Sequence, residues 1–238
     1  MVCLILLFFS GQAQQNSRFA VVELFTSEGC SSCPAADKIL SEISKESRQK
    51  NQEVYCLAYH VDYWNKLGWK DPYSKFQFTR RQENYSRVLP SKELYTPQMI
   101  VNGTTELIGS KKEKALSAIS LALNKKPELE FDLKLDSLVA DTAFISWKIS
   151  KSDKNYVLQL ALNQSGLSSK IDKGENAGKT LTHDHVVRAF TAVNNPGFSG
   201  QIKFLLKDKD PGFQSEIIGF IQRKQNYSIL AAGRITLL

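Results

Sequence analysis

Apolar positions along the chain follow two rhythms that change near residue 127. In the first half, nearly continuous apolar runs alternate with stretches in which apolar residues recur every three or four positions. Residues 18–25 (RFAVVELF) form one such run, as a central parallel strand covered on both faces must. After Cys33 the period is helical, with Ala36, Ile39, Leu40 and Ile43 on one stripe. Pro34 is tolerated there because a first helical turn does not use its missing N–H. Residues 53–60 (EVYCLAYH) predict a second buried strand. Asp71-Pro72 predicts an N-cap followed by proline at the first helical position, opening a helix to about Leu89 that buries Phe78, Tyr85 and Val88. Asn102-Gly103, a strong two-residue hairpin signal, joins short strands at 98–101 and 104–108. Ser110 and Glu113 have capping-box spacing ahead of a helix burying Leu116, Ile119 and Leu123. The order β-α-β-α-β-β-α predicts an α/β domain over residues 18–126.

Lys125-Lys126-Pro127 interrupts that rhythm. From 128 onward, seven short alternating segments are separated by turn residues such as Asn194-Asn195-Pro196-Gly197 and Asp210-Pro211-Gly212. Such a pattern predicts an all-β antiparallel sandwich domain over residues 127–238.

Composition adds limits. A length of 238 residues with 42% apolar and 23% charged residues suits one large or two modest globular domains and excludes disordered and fibrous classes. The net charge of +7 is scattered over Lys38, Lys45, Arg48, Lys66, Lys70, Arg80, Arg81, Lys111 and Lys112. Without a long basic run, a solvated surface is expected and a nucleic-acid partner is not. Eight consecutive apolar residues at 2–9, followed by small Gly11 and Ala13 at a cleavage site, predict a signal peptide over residues 1–13. A secreted or periplasmic protein is therefore expected. No later stretch reaches the roughly 20 apolar residues a membrane span needs.

The sharpest chemical signal is Cys30-Ser31-Ser32-Cys33, which follows a buried strand and opens an amphipathic helix. Unpaired N–H groups and the helix dipole favour a thiolate there, lowering a cysteine pKa from about 8.5 to about 3.5–7.5 in such motifs. Cys30 is the expected attacking thiol and Cys33, one turn inside, the resolving one. Cys56 lies mid-strand among apolar neighbours, where a structural thiol is expected. Four cysteines, one of them Cys3 in the expected signal, exclude a disulfide framework.

This strand, CxxC helix, strand, helix order resembles the thioredoxin superfamily, so the first domain is expected to be thioredoxin-like. The resemblance implies a cis bond before Pro97, with Thr96 and Pro97 presenting backbone to a substrate beside the redox pair. It also implies a buried acid beneath the resolving cysteine. Glu23 is the candidate, at a spacing one residue longer than usual, and would relay the proton of Cys33. More specifically, the phrases VVELFTSEGCSSCPAAD, HVDYWNKLGWKDPYS, YTPQMIVNG and GENAGKTLTHDHVVRAF resemble a bacterial family of secreted thioredoxin-like proteins, DUF1223, over nearly the whole chain. That family supplies no substrate.

His60 and Asp62 follow the second strand, on the side where open α/β sheets place ligands. They either tune Cys30 or cap a strand end, while Tyr63, Trp64 and Trp69 form an aromatic wall or a packed loop. His183 and His185 read as a polar turn or as a metal pair. The leading expectation is an enzyme, a thiol–disulfide oxidoreductase of the bacterial envelope acting on a protein or small thiol/disulfide substrate, with no cofactor. Two alternatives stay open: a copper- or zinc-handling protein using the CSSC thiolates with His60, and a noncatalytic binding module in which CSSC is a permanent disulfide. The sequence does not set the direction of electron flow or the oligomeric state.

Overall fold

The computed structural model describes residues 17–206 and 208–237; the expected signal peptide lies outside them. Strand β1 (Phe19–Thr26) leads through the CSSC turn into helix α1 (Cys33–Gln49), and β2 (Glu53–His60) returns parallel to β1, with Thr26 opposite His60. Helix α2 (Phe76–Ser86), the hairpin β3 (Gln98–Val101) and β4 (Thr105–Ile108), and helix α3 (Lys112–Leu123) complete the first half. Asn102 and Gly103 turn that hairpin with φ of 47° and 75°, the left-handed pair its geometry requires.

Nine further strands follow among the described residues: β5 (Phe131–Val139), β6 (Thr142–Ile149), β7 (Tyr156–Ser165), β8 (Leu167–Lys170), β9 (Thr180–His183), β10 (Val186–Asn194), β11 (Ser199–Leu205), β12 (Gln214–Arg223) and β13 (Ile229–Leu237).

Their pairing overturns the expected fold class, a thioredoxin-like α/β domain followed by an all-β antiparallel sandwich. The protein is mostly β, and its main sheet is one mixed, eight-stranded unit ordered β13-β12-β7-β10-β2-β1-β3-β4. Strands from both sides of Pro127 share it, joined where Val186 of β10 pairs parallel to Ala58 of β2. Sheet β11-β6-β5 has three strands, and β8-β9 is a separate pair. A sandwich strand that left one face wet would alternate in exposure, yet β7 and β12 are buried on both faces. Joining also covers the open edge of β2, which would otherwise present unpaired backbone groups.

Three large apolar cores result among the described residues, with a small fourth cluster of Tyr73, Leu167 and Val186. Ala36, Leu40 and Ile43 of α1 and Ala115 and Ile119 of α3 pack on Val22, Leu24 and Cys56. Leu133, Ile145 and Trp147 of the small sheet pack on Leu158, Leu160, Ile217 and Ile221. The third core shows that the main sheet curls: Phe78 and Tyr85 of α2 are enclosed by Phe25, Tyr59, Ile218 and Phe220 from β1, β2 and β12. Arg81 sits at its centre, buried, with its guanidinium 4.9–5.5 Å from the rings of Tyr59, Tyr85, Phe190 and Phe220.

Helix starts depart from expectation at two places. Asp71 does not cap α2, which begins five residues later, because its carboxylate is taken by the backbone of Tyr73 and by partners in the site below. The Ser110–Glu113 capping box is not formed: Lys111 is the N-cap of α3 and makes no side-chain cap bond.

Candidate functional site

The β1–α1 turn is held from within. Cys30 N–H donates to Ser27 O and Cys33 N–H to Cys30 O, both at 3.2 Å, while Gly29 N–H donates to Ser27 Oγ at 3.1 Å. Gly29 is required by close approach, since a Cβ there would lie 3.1 Å from Trp64 Cβ. Cys30 and Cys33 are joined as a disulfide across the first turn of α1. Both are buried, at 1% and 0% exposure, whereas Ser31 and Ser32 face solvent. The Thr96–Pro97 bond is cis. Gly109 lets Pro97 approach α1: a Cβ on Gly109 would be 3.2 Å from both Pro97 Cβ and Ala36 Cβ.

Around this turn lies a buried set of acids and imidazoles. His60 Nδ1 is 2.7 Å from Asp71 Oδ2, and the same carboxylate accepts Glu28 N–H at 2.9 Å. His183, at the end of β9, places Nε2 3.0 Å from Glu28 Oε1, and Trp69 Nε1–H donates to Glu28 Oε2 at 2.7 Å. The two imidazole rings cross edge to face with centroids 5.0 Å apart. His183 Nδ1 lies 3.8 Å from Asp37 Oδ2 of α1. Burial alone would lower the His60 pKa, but the Asp71 carboxylate outweighs it and raises the value. Burial works to raise Asp71, yet the facing His60 and the Glu28 and Tyr73 N–H donors hold it below the ordinary carboxylate range. Asp37 is raised, burial outweighing the pull of His60 and His183.

The second half of the chain also reaches the disulfide. In the segment 174–178, between β8 and β9, Asn176 is fully buried and its Nδ2 donates to Glu28 O at 2.8 Å and Cys30 O at 3.0 Å. Glu175 accepts the Ser31 N–H at 2.9 Å. Gly174 and Gly178, with φ of 80° and 81°, bound this strap.

The structure thus gathers Cys30, Cys33, His60, Trp69 and, through α1, Pro97. Trp64 joins them by donating its indole N–H to Thr96 Oγ1 at 2.9 Å, and Tyr63 packs with it against the α2 core. Trp69 braces Glu28, so the three aromatics belong to the packing of the loop as much as to its surface. Asp62 is drawn away, accepting Thr79 Oγ1–H at 2.6 Å and so tying its loop to α2. Glu23 points to the α2 face, opposite α1, and is engaged by Arg81 and Tyr85. His185 is separate from His183: buried with φ of 59°, its pKa is lowered by burial to about 4. Cys56 is a free, buried thiol pushed by burial up to about 12. Among the described residues no group of three or more His, Cys, Asp or Glu is placed to hold a metal ion, and no helix is long and apolar enough to cross a membrane.

Sequence reasoning missed Glu28, Asp37, Asp71 and Asn176. Asp37 was detectable, because it interrupts the buried stripe of Cys33, Ala36 and Leu40. Asn176 lies in the GENAGKTLTHDHVVRAF phrase of the family resemblance, but nothing local pointed to its contact 146 residues away.

Residues 21–222 match the family described as protein of unknown function, DUF1223, and the chain belongs to it. A crystal structure of a protein from Agrobacterium tumefaciens is similar over 95% of this chain and 96% of that one, with 25% identity and a TM-score of 0.66. An FMN-binding β-glucuronidase from Facaelibacterium prausnitzii has 12% identity and a TM-score of 0.24 over 47% of this chain and 15% of its own. A β-glucosidase from Kluyveromyces marxianus has 14% and 0.21 over 46% and 14%. Likeness that low carries no functional argument. No curated protein matches.

Proposed function

We propose that the protein is a thiol–disulfide oxidoreductase of the cell envelope or exterior, with Cys30 and Cys33 as its redox pair. The observation that carries this reading is the Cys30–Cys33 disulfide at the start of α1, where helix N–H groups stabilise a thiolate once the bond is reduced. The close packing of Pro97 and Ala36 of α1 about Gly109 supports it. In the reduced protein, Cys30 thiolate attacks a substrate disulfide, forming a mixed disulfide and releasing one substrate thiolate. Cys33 then attacks Cys30 Sγ, closing the internal disulfide and releasing the second substrate thiolate. A dithiol donor returns the pair to the reduced state. Run in reverse, the same steps oxidise a dithiol substrate.

Burial of both cysteines under the Asn176 strap favours a second reading, a permanent disulfide in a binding module. The reduction potential separates the two. Redox equilibration against glutathione, followed by mass spectrometry of the alkylated protein, is expected to give a value in the range of about −120 to −270 mV, where catalytic pairs fall. A value below about −300 mV, typical of structural disulfides, supports the module instead.

A further inference from the structure

Near the start of α1, four buried polar atoms lack a close hydrogen-bond partner in the protein: Asp37 Oδ1, His60 Nε2, His183 Nδ1 and Thr26 Oγ1, with Thr26 and the two imidazoles facing Asp37. They come from α1, β2, β9 and β1, so a single badly placed loop does not account for them. Buried polar atoms are nearly always paired, and a cluster of exceptions calls for a reason. Each imidazole is oriented by a carboxylate on its other nitrogen, His60 by Asp71 and His183 by Glu28. Which nitrogen carries the proton is set by such a partner, and the second nitrogen is left for proton exchange.

Asp37 is the only carboxylate of the four. It lies four residues after Cys33 in α1, one turn along the same face. The position that the thioredoxin resemblance assigned to a proton relay, Glu23, is closed by Arg81 and Tyr85 on the other face of the sheet. A pocket of about 320 Å³ beside the first turn of α1 is lined by Pro34, Asp37, Lys38, Ser41, Thr182 and His183 among others. It connects Asp37 and His183 to solvent.

We propose that Asp37 is the proton acceptor for Cys33, and that His183 positions it and passes the proton to the pocket. The proposal rests on the redox reading above. When the mixed disulfide sits on Cys30, the Cys33 thiol gives its proton to the Asp37 carboxylate. The resulting thiolate attacks Cys30 Sγ, the Cys30–Cys33 bond forms, and the bond to the substrate breaks with its electron pair on the departing thiolate. The proton leaves Asp37 through His183 to solvent; in the opposite direction it returns by the same route. The groups facing Asp37 set its pH response: His183 and Asp184 from the β9 end, His60 from β2, Asp71 and Glu28 from the loops, and Thr26 from β1. Burial raises the proton affinity of Asp37 above that of an ordinary carboxylate, which favours taking a proton from a thiol.

The test is a single turnover of the reduced full-length protein with dithionitrobenzoate, which releases one coloured thiolate when Cys30 attacks and a second when Cys33 closes the disulfide. Both phases are followed between about pH 5 and pH 9. Asp37→Asn is expected to leave the first phase unchanged and to slow the second at neutral pH by about 100-fold, the lower end for general acid–base catalysis. Asp37→Glu restores the second phase, and His183→Gln shifts its pH midpoint. An Asp37→Asn second phase equal to wild type at every pH overturns the proposal. If that variant does not fold, an unshifted His183→Gln profile does so. A wild-type protein with no first phase would instead defeat the redox reading itself.

Discussion

At the scale of single residues, two buried ion pairs divide the labour between stability and chemistry. His60 is raised above its ordinary value and Asp71 is lowered. A raised histidine contributes stability that is complete below its unfolded pKa of about 6.5 and is lost as pH rises through the folded value. A lowered aspartate contributes above its unfolded pKa of about 3.9 and loses it as pH falls through the folded value. Thermal melts should therefore place the pair's greatest contribution in the mildly acidic range between about pH 4 and pH 6.5. His60→Gln should remove the high-pH decline and cost about 3–5 kcal/mol in that range, the loss expected when one partner of a buried pair is taken away. An unchanged pH–stability curve in the variant would contradict the assignment. Glu23 and Arg81 form the other pair, each at most 5% exposed. Arg81→Met should be similarly destabilising, by about 3–5 kcal/mol, yet leave the pH profile of disulfide closure where it is. A shifted profile would return Glu23 to the role the sequence resemblance assigned it.

Cys30 and Cys33 were legible as a short local signature, and Pro97 only through the thioredoxin resemblance. The partners of the buried cluster were not legible in the same way. Asp71 looked like a helix cap and Glu28 received no reading, and only the approach of His183, 155 positions from Glu28, turns them into one site.

Among the elements, the strap at 174–178 carries the least expected function. Its contacts to Glu28, Cys30 and Ser31 come from the second half of the chain, where the sequence suggested only a loop. Asn176→Ala removes the two hydrogen bonds to Glu28 and Cys30, along with one from Lys179, each worth about 0.5–1.5 kcal/mol, so reduction of the buried disulfide by dithiothreitol should quicken by roughly tenfold. A rate equal to wild type would show that the strap does not limit access. The helix periods, by contrast, read largely correctly in the sequence, since an apolar stripe reports burial directly, but Val88, expected in the α2 stripe, lies beyond the end of α2 and is exposed. The helix starts read less well. Asp71 and Ser110 have capping residue types, but the tertiary structure gives Asp71 to His60 and starts α3 from Lys111.

For the molecule as a whole, strand rhythm predicted seven strands of the second half, missing β8 and β9, and did not predict their order. Alternation says which residues share a face; it does not say which edge a strand joins. Two halves with different rhythms therefore looked like two folds, whereas β7, β10, β12 and β13 extend the sheet of β1–β4. The consequence is energetic. Residues 18–126 expressed alone would lose Ile218 and Phe220 from the core that holds Tyr59 and Phe78. Each buried side chain of that kind is worth about 1.5–3 kcal/mol, and the edge of β2 would be open to aggregation. That fragment should show no cooperative thermal transition by circular dichroism. A sharp transition near that of the full chain would contradict the shared-core account.

The same continuity places the Asn176 strap and His183 at the CSSC turn and the acids beside it, far earlier in the chain, so the site belongs to both halves. Its central claim is that Cys30 is a nucleophile served by Cys33. The most direct measurement is trapping with Cys33→Ser, in which Cys30 has no resolving partner. Incubated with oxidised proteins of the cell envelope and analysed by non-reducing mass spectrometry, this variant should hold substrate as a mixed disulfide on Cys30. Cys30 recovered as an unmodified thiol, under conditions that oxidise the wild-type pair, would contradict the account.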